Sequence, residues 1–204
     1  MGLIDFQKSV ELLKQYGFPL LATKPAVSEK EALSVAKATG FPLVLKAFSP
    51  DILHRTEIGA VRTGIKDEKE LKEAYKSISK FGQVLVQKEI EGTEISLGMK
   101  RDPQFGPVLM AGLGGIFIDV LKDVSFRVAP INGKEALEML RSLKSWPIFQ
   151  GYRGKKALNV QAIVSIIVKL SIFSLKEEGI REIDFNPVMA DGNKAEIVDF
   201  KFLS

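Results

Sequence analysis

Lys46 stands inside an apolar run, Leu43-Val44-Leu45-Lys46-Ala47. An ammonium group there is costly unless it finds a partner. Two readings fit: a side chain that snorkels at a sheet edge, or a compact point charge that clamps phosphate. A second constellation is Glu182-Ile183-Asp184-Phe185-Asn186-Pro187, followed by Val198-Asp199-Phe200. Asp184 and Asn186 share one strand face by period two, and Asp199 falls on the neighbouring strand after a tight turn. Hard oxygen donors on adjacent strands suit Mg²⁺, which keeps waters and substrate phosphates as its other ligands. The same residues also fit a surface acidic pair beside a turn-forming Asn-Pro.

Three further segments carry chemistry. In Gln87-Lys88-Glu89-Ile90-Glu91-Gly92-Thr93-Glu94, an extended backbone and one amide side chain suit a purine edge. A nearby carboxylate can take both ribose hydroxyls, and an ordinary turn between strands is the alternative. Gly112-Leu113-Gly114-Gly115 permits positive φ and close approach to a ligand. It matches neither the P-loop nor the dinucleotide fingerprint, so a loop of tight turns fits equally. His54 is the single histidine. Its ordinary pKa permits acid–base work or nucleophilic attack on phosphorus, and an exposed histidine without a role is the alternative.

The composition narrows the field. The chain has 204 residues, 46% hydrophobic and 26% charged, a globular balance that excludes disorder. It has no cysteine, which excludes disulfide frameworks, Cys–zinc sites, Fe–S clusters and thiol nucleophiles. The net charge is +4, with signs alternating along stretches such as Asp67-Glu68-Lys69-Glu70. No stripe for nucleic acid emerges, and a mild positive bias suits a polyphosphate ligand. Met1–Val10 lacks the pattern of a signal peptide, and Val160–Leu175 is too short and polar to span a bilayer. A cytoplasmic location without membrane association is expected.

The elements that must position these residues can be read in order. Asp5 caps a helix with Phe6, Val10, Leu13 and Tyr16 on one face, and a short extended run covers Leu20 to Thr23. Ser28/Glu31, Asp67/Glu70 and Asn132/Glu135 have the spacing of capping boxes. Strands are predicted at Leu43–Ala47, Gly59–Ile65 and Val84–Lys88. Further strands are predicted at Glu94–Lys100 and Pro107–Met110, onward through Phe117, and near Ser125–Pro130. Asn159 caps a long helix, and Ile180–Phe185 pairs with Ala195–Phe200 around Asp191-Gly192-Asn193. The result is an α+β protein: an N-terminal helix and strand (1–23), a small lobe (24–90) and a larger one (91–204), joined by a hinge near Glu89–Thr93 and enclosing a cleft.

Taken together, these segments resemble the ATP-grasp fold, and more closely the β subunits of ADP-forming acetyl-CoA synthetases (acyl-CoA synthetases, NDP-forming). Carrying the resemblance are Leu43–Ala47, Ser49-Pro50-Asp51-Ile52-Leu53-His54-Arg55-Thr56-Glu57-Ile58-Gly59-Ala60-Val61 and Gly98-Met99-Lys100-Arg101-Asp102-Pro103-Gln104-Phe105-Gly106-Pro107-Val108. Gly112-Leu113-Gly114-Gly115-Ile116-Phe117, Lys122-Asp123-Val124, Gly151-Tyr152-Arg153-Gly154-Lys155 and Glu182–Pro187 follow in order. The loop has Gly59-Ala60 where the family pattern has two glycines, a small departure.

The resemblance implies that acyl-CoA, phosphate and ADP give free acid, CoA and ATP, with Mg²⁺ and ATP/ADP as cofactors. It makes Lys46 the phosphate lysine, Gln87, Glu89 and Ile90 the adenine hinge, and Glu94 the ribose carboxylate. Asn186 and Asp199 become Mg²⁺ ligands with Asp184 as a third, and His54 the phosphohistidine relay. Acyl phosphate and acyl-CoA would reach the reaction through a CoA-binding α subunit in a hetero-oligomer, expected as α2β2, because this chain shows no Rossmann-type CoA domain. Another ATP-grasp carboxylate ligase, or a non-catalytic nucleotide-sensing module, are the competing readings.

Overall fold

The computed structural model describes residues 2–49, 58–115, 122–154 and 156–204. In chain order the elements are α1 (Phe6–Gln15), β1 (Thr23–Ala26), α2 (Glu29–Thr39), β2 (Leu43–Phe48), β3 (Val61–Ile65), α3 (Glu68–Ile78) and β4 (Gln83–Lys88). There follow β5 (Thr93–Asp102), β6 (Gly106–Leu113), β7 (Val124–Val128), α4 (Gly133–Arg141), α5 (Trp146–Phe149), α6 (Val160–Lys176), β8 (Glu182–Ala190), β9 (Ala195–Ile197) and β10 (Phe200–Leu203). They fall into two compact units, Leu21–Ile90 and Met1–Leu20 with Glu91–Ser204.

The unit Leu21–Ile90 is a four-stranded antiparallel sheet, order β1-β4-β2-β3, with α2 and α3 packed on it. Leu43, Leu45, Val84 and Val86 meet Ala36 and Leu71 in its core. The intervening residues, Val44, Lys46, Leu85 and Gln87, therefore project to the sheet's other face. The first extended run lies later than the sequence suggested: β1 starts at Thr23 and continues through Pro25, opposite Leu85. Proline, having no N–H, is tolerated there because β1 is an edge strand.

The three caps differ in detail. Asn132 and Glu135 form a reciprocal box, each side chain accepting from the other's backbone N–H. Ser28 and Asp67 accept from Glu31 and Glu70, but the glutamates reach one residue further, to the N–H groups of Val27 and Lys66 at 2.8 Å. The N-cap φ is −147° and −151° in those two cases and −100° at Asn132, which turns the cap's own N–H differently.

The second unit is built on a six-stranded sheet, β10-β8-β5-β6-β7 with β9 also on β8. The apolar helix α6 packs on β5, β6 and α4. Arg101 in β5 donates to the carbonyls of Ser174, Ile180 and Glu177, satisfying orphan acceptors around the end of α6. Phe173 of α6 stacks on Phe202 of β10, with Phe18 and Phe185 edge-on. Leu3 bridges to Leu203, and Phe6 stacks on Phe200, tying α1 to the last strand. Strand β8 does not end at Phe185: it passes through Asn186-Pro187 to Ala190. No helix among the described residues is long and apolar enough to cross a membrane.

Candidate functional site

Lys46 lies mid-strand in β2, opposite Val61 on one side and Leu85 on the other. It is 4% exposed and Gln87 1%, so neither reaches solvent freely from the face away from the helices. Lys46 and Gln87 are diagonal neighbours there, since Lys46 pairs with Leu85 and Val44 with Gln87. The Gln87 amide donates to the Thr23 hydroxyl at 2.6 Å, and that hydroxyl donates to the Leu21 carbonyl. Thr23, directly opposite Gln87 in the β1–β4 register, thus fixes the amide's rotamer. Sequence reading missed Thr23 because its partner depends on a register between distant segments.

Glu89 and Ile90 follow β4 outside any strand. The Glu89 carboxylate accepts from the Gly64 N–H through both oxygens, at 3.1 and 3.2 Å, and its own N–H donates to the Pro42 carbonyl. Its side chain is thereby committed to the sheet, leaving its backbone as the part suited to an adenine edge. Lys88 ties down the end of α2, donating to the Gly40 and Phe41 carbonyls.

In the other unit, a turn around Asp191 sets the acidic constellation. The Asp191 carboxylate accepts from the N–H groups of Asn193 and Lys194, holding its carboxyl below the usual carboxylate range. The strands leaving that turn pair Val188 with Ile197 and, beyond an interruption, Phe185 with Phe200 and Asp184 with Lys201. The interruption falls at Pro187, which cannot donate to the ladder. There the Asn186 N–H donates to the Asp199 carbonyl at 3.2 Å, placing these two residues opposite one another. Along β8, Ile183 and Phe185 are buried while Asp184 and Asn186 face the other way. Asp184, Asn186 and Asp199 are therefore brought to one stretch of one hairpin.

Burial pushes the Asp184 carboxyl up to about 6; Lys201 opposes this and the charges of Asp199 and Glu182 add to it. Lys201 is the second residue that the sequence reading passed over; the turn closes with Asp191 against Lys194, and that register places Lys201 opposite Asp184. Among the described residues no cluster of three or more His, Cys, Asp or Glu is assembled. The candidate donors are two carboxylates and one amide, all oxygen, and a divalent cation would offset the repulsion between Asp184 and Asp199. This set fits Mg²⁺. On the same sheet a cavity of about 520 Å³ is lined by Gly98, Met110, Val124, Phe126 and Asp184, among others.

Glu94 is the second residue of β5, exposed, and its carbonyl accepts from the Gly114 N–H at 2.8 Å. The glycine run meets the protein's own chain here: a side chain at Gly114 or Gly115 would strike Glu94, and one at Gly112 the Asp123 carbonyl. His54 and the rest of its loop, 50–57, lie outside the described residues.

These features can be set beside known proteins. The ATP-grasp domain family matches residues 2–203. The β subunit of acetate–CoA ligase [ADP-forming] I from Pyrococcus furiosus is 42% identical over 204 residues, covering 95% of this chain and 88% of that one. The chain belongs to the ATP-grasp family of ADP-forming acetate–CoA ligase β subunits. The same ATP-grasp architecture is seen in acetyl-coenzyme A synthetase 1 of Ca. Korarchaeum cryptofilum, described as dinucleotide forming and solved with coenzyme A, Ca-AMPCP and HgCl⁺. The TM-score is 0.92 at 32% identity, over 100% of this chain and 92% of that one. A second structure of that synthetase, with coenzyme A and Mg-AMPPCP, has its phosphohistidine segment pointing towards the nucleotide binding site. It gives a TM-score of 0.86 at 33% identity, over 99% and 92% of the two chains. The mixed helix-and-sheet ATP-grasp fold expected from sequence is thus present.

Proposed function

We propose that this chain is the nucleotide-handling β subunit of an ADP-forming acyl-CoA synthetase. With a CoA-binding partner it converts acyl-CoA, phosphate and ADP into free acid, CoA and ATP. The near end-to-end match to a β subunit carries this reading. Both ATP-grasp units keep the residue types that the reaction needs. Lys46 neutralises nucleotide phosphate, the Glu89–Ile90 backbone with Gln87 holds adenine, and Glu94 takes the ribose hydroxyls. Asn186 and Asp199, with Asp184, hold Mg²⁺, which when bound neutralises phosphate oxygens. Residues 24–90 and 91–204 act as the small and large lobes of one ATP-grasp domain.

His54 is the relay. A neutral imidazole nitrogen attacks the phosphorus presented by the partner, the bond to the donor group breaks, and ADP then takes the phosphoryl group. The hetero-oligomer is α2β2 and works in the cytoplasm. The test is reconstitution with the partner, supplying acetyl-CoA, phosphate and ADP. ATP formation is expected, and its absence with a partner that acetyl phosphate labels would overturn the reading. His54→Ala should leave ADP binding and assembly intact and remove transfer to ADP. Normal ATP synthesis in that variant would mean the partner delivers the phosphoryl group directly.

A further inference from the structure

We propose that Gly115, backed by Gly114, is a positioning residue that sets the Glu94 carboxylate for the nucleotide ribose; this rests on Glu94 being the ribose carboxylate. Glu94 is exposed at the start of β5. A free glutamate in water samples several rotamers, and a ligand contact must overcome that loss of freedom. Here one wall is already built. The Gly114 N–H holds the Glu94 carbonyl at 2.8 Å, which brings the two backbones into register beyond the last β5–β6 pair, Ile95 with Leu113.

At Gly114 a Cβ would lie 3.0 Å from the Glu94 Cβ and 3.1 Å from its carbonyl carbon, so the two chains approach more closely than a side chain there would readily allow. At Gly115 a Cβ would lie 2.6 Å from Glu94 Oε2, so the carboxylate rests directly over the glycine's Cα. Gly115 also has φ +61°, in the left-handed region that favours glycine. Conformation alone does not account for the pairing. Gly40, Gly59, Gly64 and Gly106 have positive φ too, yet a Cβ on any of them would meet nothing within 4 Å.

The two glycines act differently when replaced. A methyl at 114 crowds the Glu94 Cβ and backbone at 3.0–3.3 Å, so the two chains must part by a few tenths of an ångström. A methyl at 115 collides with the far end of a flexible side chain, which can yield by swinging away. Substitution at 115 therefore moves the carboxylate, at some cost in stability for a side chain in the left-handed conformation. Gly115→Ala is the direct variant, and Gly115→Asn is the companion because asparagine tolerates the left-handed conformation better than alanine.

The experiment is calorimetry on the full chain with Mg²⁺, using ADP and 2′,3′-dideoxy-ADP, with a thermal melt of each variant as a check on folding. The wild-type chain should prefer ADP by about tenfold, the size of one charge-assisted contact. Both Gly115 variants should lose most of that preference while binding the dideoxy nucleotide as before. Glu94→Ala should lose it as well, and combining it with Gly115→Ala should cause no further loss. Three results would each overturn the proposal. Gly115 variants that keep the preference while Glu94→Ala loses it would separate the glycine from the carboxylate. Equal weakening of both nucleotides would mean that the glycine shapes the loop without addressing the ribose. Glu94→Ala retaining the preference would remove Glu94 from the ribose, and the proposal with it.

Discussion

Lys46 and Asp184 are both ionisable groups held on sheets, and they answer to different tests. Lys46 is 4% exposed in β2, and its proposed task is a contact to nucleotide phosphate. Lys46→Ala should weaken ADP binding by about 1.5–3 kcal/mol, the range for a charged hydrogen bond. Calorimetry on the folded variant checks this, and unchanged affinity would place the phosphates elsewhere. Asp184 titrates near 6, above its ordinary 3.8, mainly through burial. The folded state therefore binds that proton more tightly than the unfolded chain. The stability it contributes is fully present below about pH 4 and is lost as pH rises through about 6. Asp184→Asn should flatten the stability profile between those values. In the presence of chelator it should leave the protein more stable at pH 7, by at most about 3 kcal/mol. Urea unfolding across pH reads this out, and a parallel profile in wild type and variant would contradict it.

At the scale of elements, caps and turns determine where the site residues stand. Asn159 begins α6 by accepting from the Ala162 N–H at 3.0 Å, and its amide donates to the Asn193 carbonyl at 2.7 Å. One side chain thus joins the start of the helix to the turn of the β8–β9 hairpin that carries the acidic constellation. Asn159→Ala should cost about 1 kcal/mol for the lost cap, with a further loss for the freed carbonyl. Asn159→Asp should recover the cap alone. Chemical unfolding of both variants beside the wild type separates the two contributions, and an Asn159→Asp variant as stable as the wild type would mean that the link to Asn193 contributes nothing. The turn of the hairpin was legible and its register was not: the turn closes with Asp191 against Lys194, which puts Asp184 opposite Lys201, whereas a turn centred on Gly192 would put it opposite Phe200. Its continuation past Pro187 was not legible, because an Asn-Pro pair is a turn signal locally. Only pairing with β5 and β9 holds that segment extended.

For the whole molecule, the decisive expectation is a division of labour. On the proposed reading, the chain by itself should bind ADP with Mg²⁺ and should not consume acetyl-CoA, the CoA chemistry being assigned there to the partner. With the partner added, ATP should form. Turnover by the isolated chain would refute the half-enzyme reading. The complex should bury on the order of 2,000 Å² or more, as obligate assemblies do.

Much of this was set by the sequence alone. Apolar periodicity, cap spacing and turn residues are local signals, and they located most strands and helices. Residue types placed Lys46 on a strand and Asn186 and Asp199 on a hairpin, because side-chain alternation and a tight turn need no distant partner. The tertiary structure decided the rest. Thr23 meets Gln87 only once β1 pairs with β4, across 64 residues of chain. Glu89 turns its carboxylate to Gly64 only because β3 lies within the same sheet. The glycines at 114 and 115 read in the sequence either as a ligand-facing loop or as tight turns, and in the fold they lie against Glu94. Each of these contacts joins residues far apart in the chain, and a contact of that kind exists only after strand order and register are chosen.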